Sequence, residues 1–356
     1  MKALLAAIVN VGSTVRDDFA DAFTNHLSAI SWMGAIRLVV YVLAVLSLKL
    51  GFDYSNGKGM FPKKVFVSRS LAQDFGMAFT NAIILTTLGL FVTQDALQEG
   101  LTSVIQTHLG GGAGPLFAGA GDGAGSGAWW IKAVSVACVV LAVDFGAYAY
   151  HWLMHRNRIL WEFHKVHHSA PTLNAATIFR VHPVDIVLRT VAVGLVLGVV
   201  TGALRLCFGA EPLAANLASG FKLYAVLMAY LAVLNHSHVW LSLGPLEYLL
   251  NSPAMHAIHH SQEPRHFDRN FASLFSIWDV LFGSFYKTTR RPEPLALGVD
   301  GTDWSSVFFP RLVVLPFQNL LRGKRAPIET GAKLTATDAT TNDRGTIHDK
   351  STFARN

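Results

Sequence analysis

Along this chain the apolar residues gather in long runs separated by polar stretches. Five runs approach or reach the ~20 helical residues needed to cross a hydrocarbon core of ~30 Å: Trp32–Leu50, Phe75–Val92, Trp129–Tyr150, Thr190–Phe208 and Phe221–Leu241. The pattern predicts an all-α polytopic membrane helical bundle of about four to five spans. A shorter apolar stretch, Ser273–Phe285, is punctuated by Asp279 and Gly283 and is expected to lie at the interface or to pack back onto the helices.

The stretches between the runs differ in charge. Gln94–Ala128 holds no Lys or Arg, carries Asp95, Glu99 and Asp122, and is glycine-rich from Gly110 to Gly127; Gly209–Ala218 is equally free of basic residues. Lys58, Lys63, Lys64 and Arg69 precede the second run, and Arg156, Arg158, Lys165 and Arg180 follow the third. By the positive-inside rule, Gln94–Ala128 reads as a flexible non-cytoplasmic loop, the third span runs inward, the fourth returns and the fifth runs inward again. The resulting division is 1–128 as an N-terminal membrane region with two spans and the glycine-rich loop, 129–290 as a catalytic domain, 291–325 as a basic segment and 326–356 as a disordered tail. Met1–Asn10 has no small-residue cleavage pattern after it and reads as mature sequence.

Composition supports the membrane reading, with 51% hydrophobic residues and 15% charged among 356. The net charge of +6 is carried between and after the apolar runs and not on a basic face interleaved with aromatics, so no nucleic-acid partner is expected. Cys138 and Cys207 both fall inside apolar runs, which leaves neither a disulfide framework nor a cysteine zinc site. Metal chemistry would rest on histidine and carboxylates.

Histidine is where the polar pattern becomes specific. His151 and His155 are four apart at the end of the third run; His164, His167 and His168, and again His256, His259 and His260, share one spacing. Residues at i, i+3 and i+4 lie on one side of a helix, so each cluster offers a coordinating surface. Three clusters on one side of a membrane exceed what decoration explains, since polar groups near lipid are costly. Eight or more imidazoles are too many for one ion of four to six coordination, so two ions are the natural count. Imidazole suits zinc, copper, iron and nickel alike, but a closed zinc site needs only four donors.

The segments HWLMH, WEFHKVHHSAPTLNAATIFRVHP, NHSHV, LGPLEYLLNSPAMHAIHH and RNFASLFSIWDVLFGSFY, from Asp144 to Tyr286, resemble the fatty acid hydroxylase / sterol desaturase superfamily of membrane diiron oxygenases. Leu243–His260 is also similar to its alkylglycerol monooxygenase branch. The charge count places the His clusters on the cytoplasmic side, as a helical cap on the bundle. The resemblance implies two iron ions held by His151, His155, His164, His167, His168, His236, His256, His259 and His260, with O2 as co-substrate. His182, in RVHP, matches a recurrent family position for ligation or support of the site. The sequence departs from the family at His238, where Asn or an acid is usual, and at Ala272, where Gly is frequent.

Around these ligands further candidates follow from position. Asp144 lies seven residues before His151 on the same helical face, so it is expected either to orient a ligand imidazole or to bond a neighbouring span. His266, Asn270 and Asp268 follow the third cluster and could support it. Tyr148 and Tyr150 are expected as interface anchors, Trp278 and Phe282 as packing, and His26, His108 and His348 as solvated.

These readings give a multi-pass membrane protein of a bacterial inner membrane or endoplasmic reticulum, which hydroxylates or desaturates a C–H bond of a sterol, fatty acyl or related lipid. The sequence contains no haem domain, flavin fingerprint or ferredoxin cysteines, so an external donor, a ferredoxin, cytochrome b5-type protein or pterin, is expected to supply electrons. The competing readings are a zinc-dependent membrane lipid hydrolase and a divalent-metal transporter. A transporter would spread its ligands along a path, which clustering disfavours.

Overall fold

The computed structural model describes residues 68–87, 90–110, 116, 129–209, 220, 223–224, 226–228, 231–299, 304, 307 and 309–323. The run Trp32–Leu50, most of the glycine-rich stretch and the 326–356 tail lie outside these residues. Among the described residues the regular elements are helices, joined by short 3-10 turns and one isolated bridge between Ser261 and Leu297.

The main helices are α1 (Arg69–Thr87), α2 (Leu90–Leu109), α3 (Trp129–Arg156), α4 (Arg158–His168), α5 (Pro183–Phe208), α6 (Pro253–His259), α7 (Ile277–Phe282) and α8 (Phe309–Leu321). Between α5 and α6 a helical stretch, Val226–Asn235, ends one residue before His236. Helices α3 and α5 are long and apolar enough to cross a membrane. They pack along each other through Val139, Val140, Val143, Ala147, Val193 and Leu197.

Their ends are set by local chemistry. Asn157 separates α3 from α4, its Oδ1 accepting from the Ile159 and Leu160 amides at 2.9 and 3.2 Å, which satisfies donors left free at a helix start. His182 caps α5 through its Nδ1, which accepts from Val184 N, and Pro183 follows at the first helical position. Ser252 caps α6 in the same way, again followed by proline.

The region before α3 departs from the expected layout. The Phe75–Val92 run is not one helix: α1 ends at Thr87 and α2 begins at Leu90. The first half of the expected loop, Gln94–Leu109, belongs to α2 and runs beside α5. The reason is a small-residue stripe on α5. A Cβ at Gly198 would come within 2.8 Å of Leu101, and one at Gly202 within 2.8 Å of Ile105, so glycine spaced by four lets the backbones approach. The polar stripe of α2 fills the contact, with Gln98 bonded to Thr201, Thr102 to the Gly198 carbonyl and Gln106 to the Gly202 carbonyl.

Candidate metal centre

All nine expected ligand histidines meet at one end of the bundle, and they divide into two groups. His151, His155, His164, His168 and His259 form one; His167, His236, His256 and His260 form the other. Within each, one ring nitrogen per residue lies within 4.8 Å of the others, and every residue is buried. The groups adjoin, with the His168 and His260 rings stacked at 4.4 Å.

Helical geometry explains the division. At about 100° per residue, positions i and i+4 diverge by about 40°, whereas i+3 and i+4 diverge by about 100°. So His164 and His168 of α4 serve the first group while His167 turns to the second. In α6 the assignment is reversed: His256 and His260 serve the second group and His259 the first. The sequence suggested one stripe of three; the structure separates each trio between two centres.

Five imidazoles are fixed by a partner on Nδ1. His151 faces the Phe271 carbonyl at 2.7 Å, His164 the Asp185 carboxylate at 2.8 Å, His167 the Arg180 carbonyl at 3.3 Å, His236 the Ala232 carbonyl at 2.8 Å and His259 the Arg269 carbonyl at 2.9 Å. An acceptor there requires the proton on Nδ1 and leaves Nε2 with a bare lone pair. In the first group all five Nε2 atoms are buried without a hydrogen-bond partner. At about 1–3 kcal/mol for each unsatisfied buried polar atom, five amount to as much as the whole net stability of an ordinary domain, about 5–15 kcal/mol. A bound cation removes that cost.

The second group gives an independent test. His236 Nε2 lies 3.2 Å from His167 Nε2 and 3.0 Å from His256 Nε2, and His260 Nε2 lies 3.1 Å from His256 Nε2. His167 and His236 both carry their proton on Nδ1, so two lone pairs face each other, an arrangement that repels unless a cation is shared. Two nitrogens each about 2.1 Å from one ion at a right angle are separated by roughly 3.0 Å. The residues therefore fit a metal in both groups. Burial, and after it the neighbouring imidazoles, hold His164, His167, His168, His256, His259 and His260 well below the ordinary imidazole range, so they are neutral donors near pH 7.

The supporting candidates sort differently. Asp144 bonds no imidazole. Its carboxylate accepts from Tyr224 Oη, the Leu274 and Phe275 amides and Trp278 Nε1. The distance along α3 that aligned it with His151 puts it beside the 274–278 segment, which it ties to the bundle. His182 belongs to neither group; besides capping α5 it donates from Nε2 to the Val313 carbonyl at 2.9 Å. His238 is half-buried outside both groups, as is buried His266, 3.8 Å from Glu293 and against the Tyr286 ring. Asn270 holds α6 to the segment after α7, donating to Met255 O and Tyr286 O and accepting from Tyr286 N. Its φ of 56° is a left-handed conformation that Asn adopts more readily than most residues. Asp268 pairs with Arg156 at 3.5 Å. Tyr148 and Tyr150 are buried and not interface anchors: Tyr148 bonds Ser284 at 3.1 Å and stacks on Phe282, because the 277–284 segment folds back over it.

The buried carboxylates Asp185, Asp279, Glu247 and Asp74 were missed in the sequence. Asp185 orients His164. Asp279 accepts from the Phe271 and Ala272 amides and from Ser284, fixing the Phe271 carbonyl that His151 uses; burial pushes it up to about 6, against its hydrogen bonds from Ser284, Ala272 and Phe271. Glu247 gathers the Leu243 amide, Ser252 and Thr288, which anchors the start of α6. A fourth network centres on Arg180, fully buried and bonded to Asp74 and Ser70 of α1, so that its own carbonyl meets His167. Asp185 had a legible signal, a carboxylate three residues after His182 in the resembling segment. Asp74 had none, since its partners lie a hundred or more residues away, and Glu247 joins the nearby Leu243 and Ser252 to Thr288, 41 residues on.

Residues 136–284 match the family model described as Fatty acid hydroxylase. The chain is similar to an ornithine lipid hydroxylase of Rhizobium tropici, 30% identical over 172 residues that cover 48% of this chain and 47% of that protein. It is also similar to the alkylglycerol monooxygenases of Danio rerio, 31% identical over 158 residues covering 44% of this chain and 30% of that one, and of Homo sapiens, 31% identical over 148 residues covering 41% and 29%. The similarity therefore spans less than half the length of these curated relatives. No solved structure matches the chain.

Proposed function

We propose, from the match of residues 136–284 to the Fatty acid hydroxylase model, that this chain is a membrane-bound oxidoreductase that uses two iron ions and O2 to hydroxylate or desaturate a lipid C–H bond. The observation that carries the reading is the division of nine buried imidazoles into a five-nitrogen and a four-nitrogen group in contact. The activities for which the similar proteins are named, on an ornithine lipid and an alkylglycerol, support a lipid as substrate.

His151, His155, His164, His168 and His259 would hold one iron, and His167, His236, His256 and His260 the other; when bound, the pair supplies the O2 activation and electron transfer that side chains lack. The chain's own part is preorganisation. Backbone carbonyls and Asp185 lock five ring orientations, as outer groups of metal sites do. Phe271, with ring centroids 5.0–5.7 Å from His151, His155 and His259, and Trp161, at 4.9 Å from His155 and 5.2 Å from His168, wall the first group with apolar surface. That wall keeps water from the reacting C–H bond.

In this reading the histidine cap faces the cytoplasm, supported by Arg156 and Arg158 on the histidine side and by the absence of Lys and Arg from 110–128, and electrons come from a separate donor. The test is metal analysis and lipid mass spectrometry on the purified full chain. Expected are about two irons per chain, as the two groups require, and an O2-dependent product that gains one oxygen or loses two hydrogens. Full activity without O2 in a zinc-loaded sample, with product shifted by water, would sink the proposal in favour of a hydrolase.

A further inference from the structure

Helix α8 is built in three sectors. Leu312 and Pro316 are buried, and Asn319 turns inward to donate to Glu162 at 3.0 Å. Val314, Phe317 and Leu321, 47%, 45% and 88% exposed, fall within about 60° of one another at 100° per residue. Arg311, Gln318 and Arg322 fall within about 40° of one another, roughly 90° round from the apolar sector. Arg311 and Arg322 are exposed, and Lys324 and Arg325 follow in sequence.

The neighbouring helix is turned inside out. Helix α1 packs against α8, with Phe309 over Gly76, where a Cβ would meet the ring at 2.5 Å. It buries Ser70, Gln73, Asp74 and Asn81 and exposes Phe75, Phe79 and Ile83. Met77 of α1 and Leu312 of α8 still pack inward together, but both helices also bond polar groups inward and leave a second, apolar sector outward, with a basic ridge along one border. In water this order is unfavourable; at a membrane interface apolar residues enter the acyl boundary while cations meet the phosphates.

We propose that α8 and the outer face of α1 are seated in the headgroup and acyl boundary of an anionic leaflet, with Arg311 and Arg322 bound to lipid phosphates. The charge of the ridge selects the occupant: a second copy of the same face would set like charges together. This seat sets the depth of the metal centre. The Val313 carbonyl accepts from His182, the cap of the helix that carries Asp185, and Leu320 packs with Met154 and Phe163 beside the ligands of α3 and α4. The inference rests on the membrane half of the function proposed above and not on its chemistry.

The test uses the full chain, with Cys138→Ala and Cys207→Ala, in nanodiscs containing phosphatidylglycerol and phosphatidylcholine. A nitroxide on Leu321→Cys is expected to relax more with O2 than with a water-soluble nickel chelate, and one on exposed Thr289→Cys the reverse. Val314→Cys repeats the measurement should the first variant fold poorly. Equal nickel access at both sites overturns the proposal, as does dipolar broadening from a second copy lying on the stripe. With spin-labelled lipids, Arg311→Gln/Arg322→Gln is expected to lose the preference for phosphatidylglycerol over phosphatidylcholine; an unchanged preference overturns the phosphate contacts. Neither readout depends on iron or turnover, so failure here is separable from failure of the enzyme reading.

Discussion

Single side chains divide into those that aim a nitrogen and those that hold the backbone behind it. Asp185 is of the first kind, since it alone among the described carboxylates bonds a ligand ring. Asp185→Ala is expected to lower iron affinity or activity by about 10- to 100-fold, measured by iron titration of folded protein. Asp144 is of the second kind. Asp144→Ala strands the Leu274 and Phe275 amides, Tyr224 and Trp278, and at about 1–3 kcal/mol for each buried unsatisfied group it should depress the unfolding temperature sharply. The iron bound per folded chain should stay unchanged. Loss of iron without loss of stability would return Asp144 to the role of an imidazole partner. Eight of the nine candidate ligand histidines were legible because three five-residue motifs carry them at helical spacing; the isolated His236 was legible only through the family resemblance. The role of Asp144 was legible only as two alternatives, because its distance from His151 fixes a face and not a partner 130 residues away.

Elements were legible where hydropathy alone decides. Helices α3 and α5 contain the runs Trp129–Tyr150 and Thr190–Phe208 and extend past them, to Arg156 and back to Pro183. Their extra turns are amphiphilic and carry His151, His155 and Asp185, so a hydropathy window ends too early there. Helix α2 was read as loop from Gln94 onward because the segment lacks Lys and Arg, carries Asp95 and Glu99 and leads into the glycine-rich stretch, while what makes it a packed helix is its polar stripe of Gln98, Thr102 and Gln106. Its partners are carbonyls and Thr201 on a glycine-lined helix, visible only once the two are packed. Gly198→Leu therefore drives its side chain into Leu101, and a loss of about 1–3 kcal/mol is expected from overpacking. Thermal unfolding in detergent measures it, and Gly100→Leu, at a glycine with open space around it, is the control expected to change little.

For the molecule as a whole the histidine cap links stability to acid. Buried His164, His167, His168, His256, His259 and His260 have native values below the unfolded value near 6.5. Between those values the unfolded chain binds more protons than the native one. Stability is then present above about pH 6.5 and falls as the pH drops below it. Melting temperature against pH, with and without added iron, checks this: the metal-free chain should decline below about pH 6.5, and metal should move the decline further toward acid, since donors must stay deprotonated.

The interleaving of adjacent histidines also governs how the molecule is assembled. His167 and His168, and His259 and His260, are chain neighbours in opposite groups, so in the proposed two-ion site setting the backbone of α4 or α6 for one ion sets it for the other. Uptake should then be paired: with less than a full complement of iron, native mass spectrometry should find bare and doubly loaded chains, with singly loaded ones scarce. A lengthening of either five-residue motif by one residue would transpose donors between centres, so both centres would be lost together.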